Sequence, residues 1–218
     1  MRDDVINNYL SIQRNIEKNK KPDQIVNIVS VSKTFSIERI MPLLNHGVVH
    51  FGENKVQEAS VKWDGIKNKF PKIKIHMLGK LQSNKVKKAV EIFDFIHSLD
   101  SEKLAKNLKK NEEIMNKKLN YFIQVNIGNE SQKSGIQLSE LKDFYNFCLK
   151  DKKLKIVGLM AIPPNDGNEE SHFKLLQESN DNLGLKELSM GMSADYEKAL
   201  KFKATFLRIG TLIFGKRN

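Results

Sequence analysis

The sequence predicts a closed (β/α)₈ barrel, on three observations. Short β-branched runs alternate with helix-period segments along the whole chain. Eight such runs with seven helices between them match the count of the closed barrel. No glycine-rich GxGxxG turn follows the first run, as an open doubly wound sheet would need. The strand segments are IVNIVSV, VVHF, KIHML, FIHSL, YFIQVNI, KIVGLMAI, ELSMG and FLRIG. The helix segments are SIERIMPLLNH, NKVQEASVKWDGIKNK, LQSNKVKKAVEIF, SEKLAKNLKKNEEIMNKK, LSELKDFYNFCLKD, EESHFKLLQESNDN and SADYEKALKFK. Ser36, Asn54, Ser101 and Ser193 stand where N-caps are expected. An extra helix, about 4–18, precedes the first strand. At 218 residues the chain falls short of the typical barrel of roughly 250, so 1–218 reads as one compact domain without large insertions.

Composition narrows the function classes. Hydrophobic residues make up 39% of the chain, enough for a packed core and outside the disordered class. The formal charge is +11, yet only five of the 37 basic residues are arginine and the lysines are spread over almost every helix. A nucleic-acid binder gathers its charge on one face, so nucleic-acid binding is not expected. The polar N-terminus carries no signal-peptide core, and no stretch approaches the ~20 apolar residues of a membrane span. The single cysteine, Cys148, sits in an amphipathic helix segment and fits a reducing compartment. A monomeric cytoplasmic protein is the expectation.

Barrels collect function at the C-terminal ends of their strands. There the first strand runs into Lys33, the seventh into SMGMS and the eighth into RIGT. Loops after strands seven and eight commonly hold a phosphate against backbone amides. Gly191 with Ser193, and Gly210 with Thr211, are suited to that task, although each loop alone could be an ordinary turn. Arg208 interrupts an apolar strand and either faces a ligand or pairs with a barrel carboxylate. Closure places the eighth strand beside the first, hence Arg208 beside Lys33. Lys33 could snorkel into solvent. A lysine in a desolvated mouth beside another cation is also made nucleophilic toward carbonyls. Amine, phosphate anchor and cation together suit the aldehyde, phosphate and ring nitrogen of pyridoxal 5′-phosphate.

Seven motifs, VSKT, HFGENKVQEA, LGKLQSNK, QVNIGNESQKSG, GLMAIP, LSMGMSADYEKAL and RIGTLIFG, occur in order from about residue 28 to 215. Together they resemble the pyridoxal phosphate homeostasis proteins, single-domain relatives of the alanine racemase N-terminal barrel. The resemblance implies a pyridoxal 5′-phosphate cofactor held as an internal aldimine on Lys33. It implies a phosphate held by Gly191, Ser193, Gly210 and Thr211, and Arg208 facing the pyridine nitrogen. Asn54, His76 and Met160 match further pocket positions; His76 could equally be a satisfied core histidine and Met160 simple packing. The chain departs from the family pattern at IHMLG in the third strand, at KATFL before RIG, and at Lys55 after FGEN.

Cofactor binding does not make an enzyme. Arginine stays protonated, so a ring nitrogen facing Arg208 remains unprotonated and the electron sink is weak. Racemisation then needs an acid–base group on each face of the substrate. In the alanine racemases that the resemblance points to, the lysine serves one face and a tyrosine from the partner subunit's C-terminal domain serves the other. Here the chain ends at Asn218 after the eighth strand, and Tyr9, Tyr121, Tyr145 and Tyr196 offer no evident second base. His46, His50, His97 and His172 look scattered, without metal-ligand spacing. The expectation is a non-catalytic carrier or buffer of the cofactor in vitamin B6 and amino-acid homeostasis, with pyridoxal-phosphate-dependent apo-enzymes as recipients. The alternatives are a fold-type III enzyme such as a weak amino-acid racemase, an RNA-associated protein, or a barrel enzyme acting on a sugar phosphate.

Overall fold

Eight parallel strands close on themselves in chain order. They are β1 (Asn27–Val31), β2 (His50–Glu53), β3 (Lys74–Met77), β4 (Phe95–Leu99), β5 (Asn120–Gln124), β6 (Ile156–Met160), β7 (Glu187–Met192) and β8 (Phe206–Ile209). β8 pairs back onto β1, with Val29 opposite Arg208. The computed structural model describes residues 2–130 and 132–216. Each strand overlaps its predicted segment. β1 stops at Val31, however, so Lys33 belongs to the turn that follows rather than to the strand.

Strand period two separates an inner from an outer face. Val29, Phe122, Met160 and Phe206 meet inside the barrel, with Phe95 and Val157 against them. Ile28, Phe51, Ile75, Ile96, Ile123 and Leu207 belong to the larger core between the sheet and the surrounding helices.

The helices are α1 (Arg2–Asn19), α2 (Ile37–Asn45), α3 (Val56–Lys62), α4 (Ile66–Lys69), α5 (Val86–Ile92), α6 (Glu102–Met115), α7 (Leu141–Asn146), α8 (Glu169–Asn182), α9 (Tyr196–Lys201) and α10 (Thr211–Phe214). The single helix expected across KWDG is instead two, because Gly65 turns left-handed at φ 65 between α3 and α4. α6 shows the intended logic best. Ser101 caps it by accepting from the Leu104 N–H at 3.3 Å, and Leu104, Ala105 and Leu108 form its buried stripe.

Of the other expected caps, Ser36 makes no side-chain cap bond. Asn54 and Ser193 are not caps at all. The cap positions of α3 and α9 fall on Lys55 and Asp195, which leaves Asn54 and Ser193 free to turn into the barrel mouth.

α1 lies across the seam where the barrel closes. Val5, Ile12 and Ile16 bury its inner face. Asn8 donates to the Ile213 carbonyl at 3.1 Å, and Asn15 donates to the Tyr196 hydroxyl at 2.6 Å. Arg39 of α2 completes the clamp, binding Asp4 at 3.0 Å and the Phe214 carbonyl at 3.2 Å. No helix among the described residues is long and apolar enough to cross a membrane.

Candidate cofactor site

A cavity of about 300 Å³ opens at the C-terminal mouth of the barrel. Six of the nine residues singled out from sequence line it: Lys33, Asn54, Ser193, Arg208, Gly210 and Thr211. Val31, Leu78, Ile162, Met192 and Ala194 supply an apolar wall.

Lys33 sits between two residues whose backbones are tied down. On one side, the Ser32 N–H donates to the Gly52 carbonyl at 2.9 Å, and the Ser32 hydroxyl donates to Glu53 Oε1 at 2.8 Å. On the other, Thr34 adopts φ 70, an uncommon conformation for a β-branched residue, and its N–H donates to the Glu58 carboxylate. Lys62 joins the two sides. Its Nζ donates to Glu58 Oε1 at 2.7 Å, Glu53 Oε1 at 3.0 Å and the Ser32 carbonyl at 2.8 Å. Trp63 Nε1 adds a bond to Glu53 Oε1 at 3.2 Å. Burial holds the Glu53 carboxyl above its ordinary value, against the opposing pull of the Lys62 ammonium and the Ser32 hydroxyl. The network over-determines the turn, so the base of the Lys33 side chain is held while the chain itself stays half-buried at the mouth.

The opposite wall comes from the loops after β7 and β8. β7 carries an extra residue against β8: Ser189 pairs with Phe206, but Met192 pairs with Arg208. The bulge is built around Gly191 at φ 86, where a Cβ would stand 2.7 Å from the Cβ of Ala199. It re-aims the chain so that Ser193 faces the mouth, where its Oγ accepts from the Gly210 N–H at 3.3 Å. Gly191 thus shapes the loop from behind and does not line the cavity.

Arg208 forms the floor of the cavity. It is 5% exposed, and its Nη1 donates to Ser189 Oγ at 2.7 Å and its Nη2 to the Ala161 carbonyl at 2.9 Å. Among the described residues no carboxylate bonds to it, so the ion-pair alternative raised by the sequence is not what the barrel contains. Burial lowers its pKa to about 10, which leaves it charged at neutral pH.

His76 and Met160 are placed elsewhere than at the cavity lining. Met160 packs in the barrel interior. His76 is fully buried in a row of histidines that sequence separation hides: His50 Nδ1 lies 2.9 Å from His76 Nε2, and His76 Nδ1 lies 2.8 Å from His97 Nε2. His97 Nδ1 then reaches Ser189 Oγ at 2.8 Å. These histidines are not scattered. β2, β3 and β4 are adjacent, and each carries one histidine facing into the barrel. The repeated inward position in VVHF, KIHML and FIHSL was the available signal. Burial holds His76 and His97 well below 6.5 and takes His50 to about 4, so all three are neutral near pH 7. Among the described residues no group of three His, Cys, Asp or Glu side chains is placed to hold a metal ion.

The mouth of this closed barrel thus gathers an amine, a buried guanidinium with no hydrogen-bonded carboxylate, and two hydroxyl-bearing loops. The family model "Alanine racemase, N-terminal domain" matches residues 4–218. A pyridoxal phosphate homeostasis protein of Aquifex aeolicus is 37% identical over 215 residues, covering 94% of this chain and 93% of its own. A structure of PipY from Synechococcus elongatus with PLP bound superposes with a TM-score of 0.85 at 32% identity, covering 97% of this chain and all (100%) of that one. An alanine racemase of Clostridium difficile shares the fold at TM-score 0.73 and 13% identity, over 99% of this chain and 57% of its own. The chain belongs to the pyridoxal phosphate homeostasis proteins, within the alanine racemase N-terminal domain family.

Proposed function

We propose that the chain binds pyridoxal 5′-phosphate at the barrel mouth and stores or hands it over without catalysing a reaction on it. The observation that carries the reading is the donor set of the cavity. Lys33 and Arg208 are the only titratable side chains among its described lining residues. The first is an amine for an aldehyde; the second is a cation for a ring nitrogen. The Ser193 and Thr211 hydroxyls, with the backbone at Gly210, face the same space and suit a phosphate. When bound, the cofactor supplies an electrophilic aldehyde and an electron-withdrawing ring. Lys33 would hold the group through its amine, the one nucleophile among the described lining residues suited to an aldehyde. Asn54 lies on the lysine side of the cavity. Gly191, His76 and Met160 act from behind it.

Two observations support a carrier over an enzyme. Racemase chemistry needs a second acid–base group opposite the lysine. Tyr121 is spent on Glu112 at 2.9 Å, Tyr196 is bonded to Asn15, and neither Tyr9 nor Tyr145 lines the cavity. The mouth is also accessible, with Ile162 on its wall 41% exposed, which suits transfer of the cofactor to pyridoxal-phosphate-dependent apo-enzymes. A reducing, cytoplasmic setting fits the one thiol, Cys148, which is buried.

The test is the near-visible absorbance of protein incubated with pyridoxal 5′-phosphate, followed by borohydride reduction and peptide mapping. A coloured protein whose reduced adduct maps to Lys33 is expected. A colourless protein, or an adduct on another lysine, overturns the reading.

A further inference from the structure

The interior of a (β/α)₈ barrel is ordinarily filled with branched apolar side chains. Here a continuous polar row crosses it: Arg208, Ser189, His97, His76 and His50 are joined by four successive contacts of 2.7–2.9 Å. Phenyl rings hold the imidazoles in place. His76 stacks on Phe95 at 4.4 Å between centroids, and His97 stacks on Phe122 at 4.3 Å. His50 ends the row in a separate cavity of about 260 Å³ at the opposite end of the barrel, beside Tyr9, Gln13 and Asn27.

The order of the protons along this row follows from one residue. A guanidinium only donates, so Ser189 Oγ must accept from Arg208. Its own proton then goes to His97 Nδ1. With Nδ1 accepting, His97 carries its hydrogen on Nε2 and donates to His76 Nδ1, and His76 Nε2 in turn donates to His50 Nδ1. The reverse order would leave the buried Ser189 proton without an acceptor, a loss that buried polar groups rarely sustain. It would also turn the positive ends of three imidazole dipoles toward the guanidinium instead of the negative ends.

We propose that Ser189, His97, His76 and His50 form a direction-locked positioning relay that solvates Arg208 from behind with dipoles instead of a bonded carboxylate, so that its charge is opposed only at a distance, by Asp195. The relay rests on the cofactor reading given above. A carboxylate partner would neutralise the cation and weaken its hold on a ring nitrogen, whereas aligned neutral rings fix the guanidinium without neutralising it. None of the four residues lines the mouth cavity; they act through Arg208.

The first experiment uses the ligand-free full-length protein and the ¹⁵N shifts of the histidine side chains. Nδ1 of His97 and His76 is expected in the unprotonated range and Nε2 in the protonated range, with neither ring titrating between pH 5 and 8. A protonated Nδ1 at either residue overturns the relay, whatever the protein does with pyridoxal 5′-phosphate. The second cuts the row with Ser189→Ala. Affinity for pyridoxal 5′-phosphate is expected to fall about tenfold, the size of one charge-assisted hydrogen bond. The bound chromophore band should shift, and Ser189→Thr should restore both. Unchanged affinity and band in Ser189→Ala, with the wild-type band present, overturn the relay and leave the cofactor reading intact. A wild-type protein that forms no coloured adduct overturns both.

Discussion

The Glu58 carboxylate accepts from the backbone N–H of Thr34, the residue next to Lys33, and from the Nζ of Lys62 at 2.7 Å. It therefore fixes the left-handed Thr34 while Lys62 fixes the buried Glu53, whose side chain is 0% exposed. Glu58→Ala should slow adduct formation at Lys33 about tenfold at near-native stability, as read by absorbance stopped-flow. Lys62→Met leaves Glu53 buried and unpaired, and should cost about 3–5 kcal/mol in urea unfolding.

Lys33→Ala removes the amine but none of the loops facing it. Borohydride should trap no adduct in the variant, while equilibrium dialysis still shows weaker, reversible binding of pyridoxal 5′-phosphate. Trapping at the wild-type level would falsify the assignment of Lys33.

Ser193 and Thr211 should discriminate by phosphate. In the double variant Ser193→Ala, Thr211→Val, affinity for pyridoxal 5′-phosphate should drop by roughly 30-fold to 150-fold, at about 1–1.5 kcal/mol per lost bond. Affinity for pyridoxal, which lacks the phosphate, should change little. Equal losses for both ligands would place the phosphate elsewhere.

Gly191→Ala forces a side chain onto a φ of 86 and against Ala199. A loss of about 1–3 kcal/mol in urea unfolding is expected, with weakened phosphate discrimination because the bulge sets where Ser193 points. Wild-type stability in this variant would mean that the bulge relaxes without consequence.

The three histidines also predict an acid limb of stability. Each has a folded pKa depressed by burial, so the unfolded chain binds more protons below about 6.5, down to about 4 in the case of His50, and stability falls as pH falls through that window. His50, which Lys74 pushes further down and Asp94 pushes up, is the accessible member. His50→Gln should remove about one proton from the pH slope, near 1.4 kcal/mol per pH unit around pH 5. Urea midpoints measured from pH 4 to 7 decide this; identical slopes in variant and wild type would reject it.

The barrel was legible because period two and period 3.6 alternate cleanly, and the mouth because Lys33, Ser193, Gly210 and Thr211 stand just beyond strand ends. The helix break at Gly65 was not, since a lone glycine inside an amphipathic run is compatible with either outcome. Gly191 was read as a ligand contact, whereas its missing Cβ serves the packing against Ala199. The clamp on Lys33 was hidden because Glu53, Glu58 and Lys62 look like ordinary surface charges until α3 packs beside β2 and reaches the turn after β1. The histidine row was hidden for a related reason. Its members are neighbours only through strand register, and register is a property of the closed sheet.

The clamp of α1 on α10 spans 205 positions of sequence, from Asn8 to Ile213, and it covers the β1–β8 seam on which both Lys33 and Arg208 depend. During synthesis the amine therefore emerges among the first elements and the cation among the last. A nascent chain carrying only β1 to β7 holds Lys33 but not the floor that Arg208 lays beneath the cavity. On the proposed reading, ligand capture waits for completion of the ring, so chains truncated before β8 should stay uncoloured with pyridoxal 5′-phosphate.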